Sequence, residues 1–143
     1  MILQDVIAKI ESNDDCNAIR FEPTLFQSKP AWIGKSIEFI KNHHNNISDD
    51  TAWMIACSSW GRYQLLGCNI YSLGFDSTIF DFVDNDHGEQ EEIFGDFILT
   101  SGYKSVENIA NWNQTQFENF AHFYNGPGNI EDYANKMKAI ANE

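Results

Sequence analysis

Two carboxylic acids near the start of the chain, Glu11 and Glu22, stand where acid–base chemistry can be argued from position. Residues 2–10 carry Ile2, Leu3, Val6, Ile7 and Ile10 at helical spacing, and the same phase puts Leu3, Ile7 and Glu11 along one line. Glu11 thus falls on the edge of an apolar face. A glutamate at a helix end is usually a solvated charge. Held against an apolar wall, its ionised form is disfavoured, its pKa rises, and it keeps a proton near neutrality for a leaving oxygen. Glu22 closes a short extended candidate, Ala18-Ile19-Arg20-Phe21-Glu22, ended by Pro23. It reads either as a second site carboxylate or as an ion-pair partner of Arg20 or Arg62. A third group lies in Ser58-Ser59-Trp60-Gly61-Arg62-Tyr63-Gln64-Leu65-Leu66-Gly67. There Gly61 removes a side chain where a ligand approaches the backbone, and Gln64 offers one amide donor and one acceptor. Trp60 reads as core. Tyr63 reads equally as core or as a flat stacking face.

Taken in order, Glu11-Ser12, Phe21-Glu22, Cys57-Ser58-Ser59-Trp60-Gly61-Arg62-Tyr63-Gln64 and Tyr124-Asn125-Gly126-Pro127-Gly128 resemble the phage-type N-acetylmuramidase domain of endolysins. That family belongs with goose-type lysozymes and lytic transglycosylases in the lysozyme-like superfamily. The resemblance covers nearly the whole chain and lies in the ordered set, since no single tetrapeptide is specific. It implies cleavage of the β-1,4 bond between N-acetylmuramic acid and N-acetylglucosamine in bacterial peptidoglycan, with Glu11 as general acid. It implies Glu22 as a candidate second carboxylate, and Ser59, Gly61, Tyr63, Gln64, Tyr124 and Asn125 as substrate-binding residues. The tyrosine equivalent to Tyr124 lies near the catalytic glutamate in such relatives, placed to orient its carboxyl. No metal or organic cofactor is implied, because this chemistry needs only carboxyls. The glycines that commonly follow Glu-Ser are replaced by Asn13-Asp14-Asp15, and the Arg-His after Phe-Glu by Pro23-Thr24. Hydrolysis and lytic transglycosylation both remain open, Asp14 and Asp15 being further candidates for a second acid. So does a catalytically silent relative that binds glycan or serves as a structural part of a phage particle.

The elements that must position these residues are mostly helical. Helices are expected over 2–11, over 31–41 with Ile33, Ile37 and Ile40 on one face, and from an Asp49 or Asp50 cap into the motif. Further helices are expected from Ser77, over about 89–101, from Ser105, from Asn113 to Tyr124, and from an Asn129 cap to the C-terminus. Asn13 suits the left-handed end of the first helix. The expected class is α+β, predominantly α-helical: a lysozyme-like single domain over residues 1–143 with one small extended segment near the cleft.

With 143 residues and eleven Phe, the chain can bury a sizeable core. Nine Lys and Arg against 21 Asp and Glu leave a net charge of −12, which repels nucleic-acid phosphates and also the anionic bacterial envelope. Neither a signal peptide nor a bilayer-length apolar run is visible, so a cytoplasmic start and no membrane insertion are expected. Action on the cell wall then requires holin-dependent release or carriage on a phage particle. Cys16, Cys57 and Cys68 read as small buried hydrophobes, with a Cys57–Cys68 bridge as the lesser alternative. His43-His44 lacks partners at metal-ligand spacing. Asp84-Asn85-Asp86-His87-Gly88 fails as a calcium loop, its glycine one place early and Gly95 at position twelve. It reads as a helix-to-helix turn.

Overall fold

The computed structural model describes residues 1–84 and 87–143, the side chain of His87 excepted. Asn85 and Asp86, the centre of the expected helix-to-helix turn, lie outside the described residues. The first helix, α1 (Leu3–Ser12), buries Leu3, Val6 and Ile7 completely. It carries no side-chain cap at its start. The carbonyls of Ser105 and Glu107 accept from the free N–H groups of Gln4 and Leu3 instead, at 2.9 and 2.8 Å. That duty explains why the helix expected from Ser105 does not form. Its backbone is committed to α1.

A strand, β1 (Ile19–Phe21), follows, then three short helices, α2 (Pro23–Ser28), α3 (Ala31–Gly34) and α4 (Ile37–Asn42). The single helix expected over 31–41 is therefore broken. Ser36, buried between its halves, donates its hydroxyl to the Ile33 carbonyl at 2.6 Å. Helix α5 (Asp49–Ala56) is capped by Ser48 rather than Asp49 or Asp50, the Ser48 hydroxyl accepting from the Thr51 N–H at 3.1 Å. The motif that follows is not helical. It forms a hairpin, β2 (Ser58–Trp60) and β3 (Leu65–Leu66), and β2 pairs antiparallel with both β1 and β3. The one extended segment expected at 18–22 is thus the outer strand of a three-stranded sheet.

Helix α6 (Gly67–Ser72) leaves β3 at a point where a side chain cannot fit: a Cβ on Gly67 would meet the Ile55 carbonyl oxygen at 2.1 Å. Three longer helices complete the chain after α7 (Ile79–Val83), which Thr78 caps in place of the expected Ser77. They are α8 (His87–Leu99), α9 (Gln114–Asn125) and α10 (Ile130–Ala141). Asn113 and Gln116 form a reciprocal capping box at the start of α9. Asn129 precedes α10 in the left-handed conformation, φ 58°, without a side-chain cap bond. Helices α1, α9 and α10 pack in series, and one continuous apolar cluster runs from Leu3 to Ala141. The class is the mostly helical α+β expected. No helix among the described residues is long and apolar enough to cross a membrane.

Candidate active site

The C-terminal end of α1 is held against the motif hairpin. Asn13 and Asp14 both take positive φ, 53° and 66°, which stops the helix two residues after Glu11. Ser12 then donates its hydroxyl to the Arg62 carbonyl at 2.7 Å and accepts from the Asp15 N–H at 3.0 Å. Arg62 also pairs with Asp14 at 3.0 Å. The serine of Glu-Ser is therefore the clamp that fixes the glutamate beside the hairpin.

Register builds the wall opposite. Arg20 pairs with Ser59, and Ser59 with Leu66, so the three share a row across the sheet and project from one face. Glu22, just past the end of β1, and Gln64, in the hairpin turn just before β3, line the hollow on that side. These five, with Glu11, Leu25, Tyr124 and Asn125, line a hollow of about 240 Å³. A second hollow, about 300 Å³, adjoins it and is lined by Ile10, Glu11, Arg20, Asn125, Asn129, Asp132, Tyr133 and Lys136. Glu11, Arg20 and Asn125 belong to both. The two form one groove with Glu11 at the junction, sheet on one side and α10 on the other. A hollow of about 320 Å³ elsewhere is lined by Asp76, Glu89 and Glu92 among others, and by no residue of the ordered motif set.

Glu11 is half-buried, and burial raises its carboxyl above the ordinary 4.5. A hydrogen bond from Tyr133 and the charges of Arg20 and Lys136 pull the other way without cancelling the rise. The Tyr133 hydroxyl donates to Glu11 Oε1 at 2.6 Å. Burial and the Glu11 charge hold that phenol far above its usual range, so it stays a donor. With Oε1 occupied as acceptor, Oε2 is the oxygen left to carry a proton whenever the carboxyl is protonated. Glu22 pairs with Arg20 at 2.9 Å, the ion pair expected of it, and also lines the groove.

Several expected site residues have other duties. Tyr63 does not face the groove: it is 2% exposed and stacks on Phe94 with ring centroids 4.2 Å apart. Gly61 leaves no space for a ligand. Its φ is +79°, a Cβ there would meet Gln90 Oε1 at 2.5 Å, and the residue turns the hairpin. Gln64 lines the groove, yet its amide nitrogen binds the carbonyls of Ala18 and Gly61 at 3.1 and 3.0 Å, leaving only its oxygen for a ligand. Tyr124 also lines the groove, but its hydroxyl donates to the Tyr63 carbonyl at 2.6 Å. The contact to Glu11 expected of it belongs to Tyr133. Ser59 and exposed Asn125 face the groove, and Trp60 is core, its indole N–H on the Ile55 carbonyl at 2.9 Å. His44 bonds backbone on both sides, to Ile40 O and from Ile79 N–H, tying α4 to α7. All three cysteines are free: Cys57 and Cys68 are buried as expected, Cys16 only partly. Among the described residues no three His, Cys, Asp or Glu are grouped to hold a metal.

Sequence reasoning missed Tyr133 and Lys136. The available signal for the first was a phenol on the inward stripe Ile130, Tyr133, Ala134, Met137, which needs a buried partner for its hydroxyl. An N-acetylmuramidase family model matches residues 43–143, which include the hairpin and all of α9 and α10. The chain belongs to the N-acetylmuramidase family. It is also 36% identical over 138 residues to the endolysin of Enterobacteria phage PRD1, an alignment covering 92% of this chain and 89% of that protein. No solved structure matches it. The protein is accordingly a glycosidase of muramidase type that degrades peptidoglycan. Glu11 and Glu22 precede the matched segment, so their roles rest on geometry.

Proposed function

We propose that the groove cleaves the β-1,4 bond between N-acetylmuramic acid and N-acetylglucosamine by hydrolysis, with Glu11 as general acid. The observation that carries this is a half-buried carboxyl of raised pKa at the junction of a two-part groove, one oxygen occupied by a permanent donor. The Oε2 proton passes to the glycosidic oxygen as its bond to the anomeric carbon breaks. A water then bonds to that carbon and gives its proton to Glu22, the ion-paired carboxylate of the sheet wall. Solvent exchange returns Glu11 to its acid and Glu22 to its base form. Ser59, the Gln64 oxygen and Asn125 supply hydrogen bonds to sugar hydroxyl and acetamido groups.

The presence of a second carboxylate in the groove favours water over the substrate's own hydroxyl as the attacking group. Mass spectrometry of fragments released from sacculi tests this. Reducing muramic ends support hydrolysis, anhydro ends establish a transglycosylase, and intact sacculi leave the binding or structural reading. In the cell we assign the chain the role of an endolysin, reaching the wall through a separate permeabilising protein. A protein recovered in purified phage particles would place it on the virion instead.

A further inference from the structure

The α10 half of the groove is unlike the sheet half. Asn129, the residue before α10, and Asp132, Tyr133 and Lys136 on it stand three or four positions apart except for the adjacent pair Asp132 and Tyr133, and Ile10 is the single aliphatic side chain among the eight that line the hollow. A neutral sugar ring would find little apolar or aromatic surface there. The cations of the groove also differ. Arg20 is paired with Glu22, whereas Lys136 has neither an ion pair nor a hydrogen bond among the described residues. Asp132, one turn before Lys136, forms no salt bridge with it. A ligand group reaching this hollow meets an uncommitted ammonium close enough to Glu11 to bias its ionisation.

The glycan backbone of peptidoglycan is uncharged, and its carboxylates hang from the lactyl side of every muramic acid. A chain of net charge −12 repels such a polymer at long range, so an anionic substituent must be held by a local cation. We propose that the α10 hollow is a subsite for a carboxylate carried on the lactyl arm of the muramic residue, with Lys136 as its counter-ion. Asp132 excludes a second carboxylate one turn back and so sets where the first one sits. This rests on the reading of the groove as the cleavage site, and makes the charge on the lactyl arm, met by Lys136, a determinant of how tightly a strand is held.

The carboxylate has two sources, the stem peptide or the free lactyl group, and the test separates them. Binding of soluble glycan strands is measured in the Glu11→Gln background with and without Lys136→Gln. Peptide-bearing strands and strands stripped by an amidase are each used native and with their carboxylates converted to amides. Lys136→Gln should weaken native strands roughly twofold to fivefold, the reach of a solvent-accessible ion pair. It should leave amidated strands unchanged, and Lys136→Arg should restore binding. Coupling confined to peptide-bearing strands assigns the stem peptide, and coupling in stripped strands assigns the lactyl group. Equal weakening of native and amidated strands, or none, overturns the subsite. Strand cleavage by Glu11→Gln, by contrast, sinks the general-acid reading and says nothing against Lys136.

Discussion

The sheet wall of the groove draws on residues 20–25 and 59–66, joined through one strand register, whereas the helical wall brings Tyr133 of α10 to Glu11 of α1 across 122 positions of sequence. The sheet wall holds most of the recognisable motif, yet much of that motif is occupied with holding itself up. Gly61 turns the hairpin, Tyr63 fills the core, and the Gln64 nitrogen braces two carbonyls. The helical wall has little motif, yet it brings to the Glu11 carboxyl the Tyr133 hydroxyl and the Lys136 ammonium. A family signature therefore marks where backbone geometry is demanding at least as much as where substrate is touched.

The largest expected effect separates the walls directly. Glu11→Gln should cost at least roughly a hundredfold in sacculus clearing, the lower end for general-acid catalysis. Stability should move the other way. The folded pKa of Glu11 lies above its unfolded value, so ionising it costs folding free energy as pH rises through the folded pKa. Below about 4.5 both states are protonated and that cost is gone. The variant should melt higher than wild type at neutral pH, the gain vanishing in acid; clearing that survives in the folded variant assigns the acid elsewhere.

Gly61→Val tests the sheet wall. A β-branched residue at φ +79°, pressed against the Gln90 amide, should cost about 2–3 kcal/mol in a urea melt. An unchanged midpoint together with weakened glycan binding would return Gly61 to the substrate.

The two tyrosines sharpen the contrast further. Tyr133→Phe removes a bond that stabilises the Glu11 carboxylate, so the carboxyl pKa rises and the alkaline limb of the activity profile shifts up by about one unit. Tyr124→Phe should leave that limb in place and cost about 1 kcal/mol of stability through the lost bond to the Tyr63 carbonyl. Exchanged outcomes would show that Tyr124, not Tyr133, orients the acid.

Much of this was legible where the signal is local. The phase of Leu3, Ile7 and Glu11, the left-handed Asn13 and the cap at Asn113 follow from backbone geometry within one or two turns. The hairpin was not, because Ser58-Ser59-Trp60 has no polar–apolar alternation and is buried on both faces of the sheet. Nor was the irregular 105–109 segment, whose conformation answers to the start of α1 and not to its own residues.

By itself the sequence determined the helical content, the placing of Glu11 at the end of an apolar stripe, and membership of a family, all properties of short-range spacing or ordered motifs. The tertiary structure alone decided that Tyr133 rather than Tyr124 reaches the carboxyl, that Arg20, Ser59 and Leu66 share one row, and that Lys136 lines the same hollow as the acid with no ion pair among the described residues. The reason is physical. A helix sets its own i to i+4 neighbours through its hydrogen bonds, but which face of α10 meets which residue of α1 depends on how the whole apolar cluster closes.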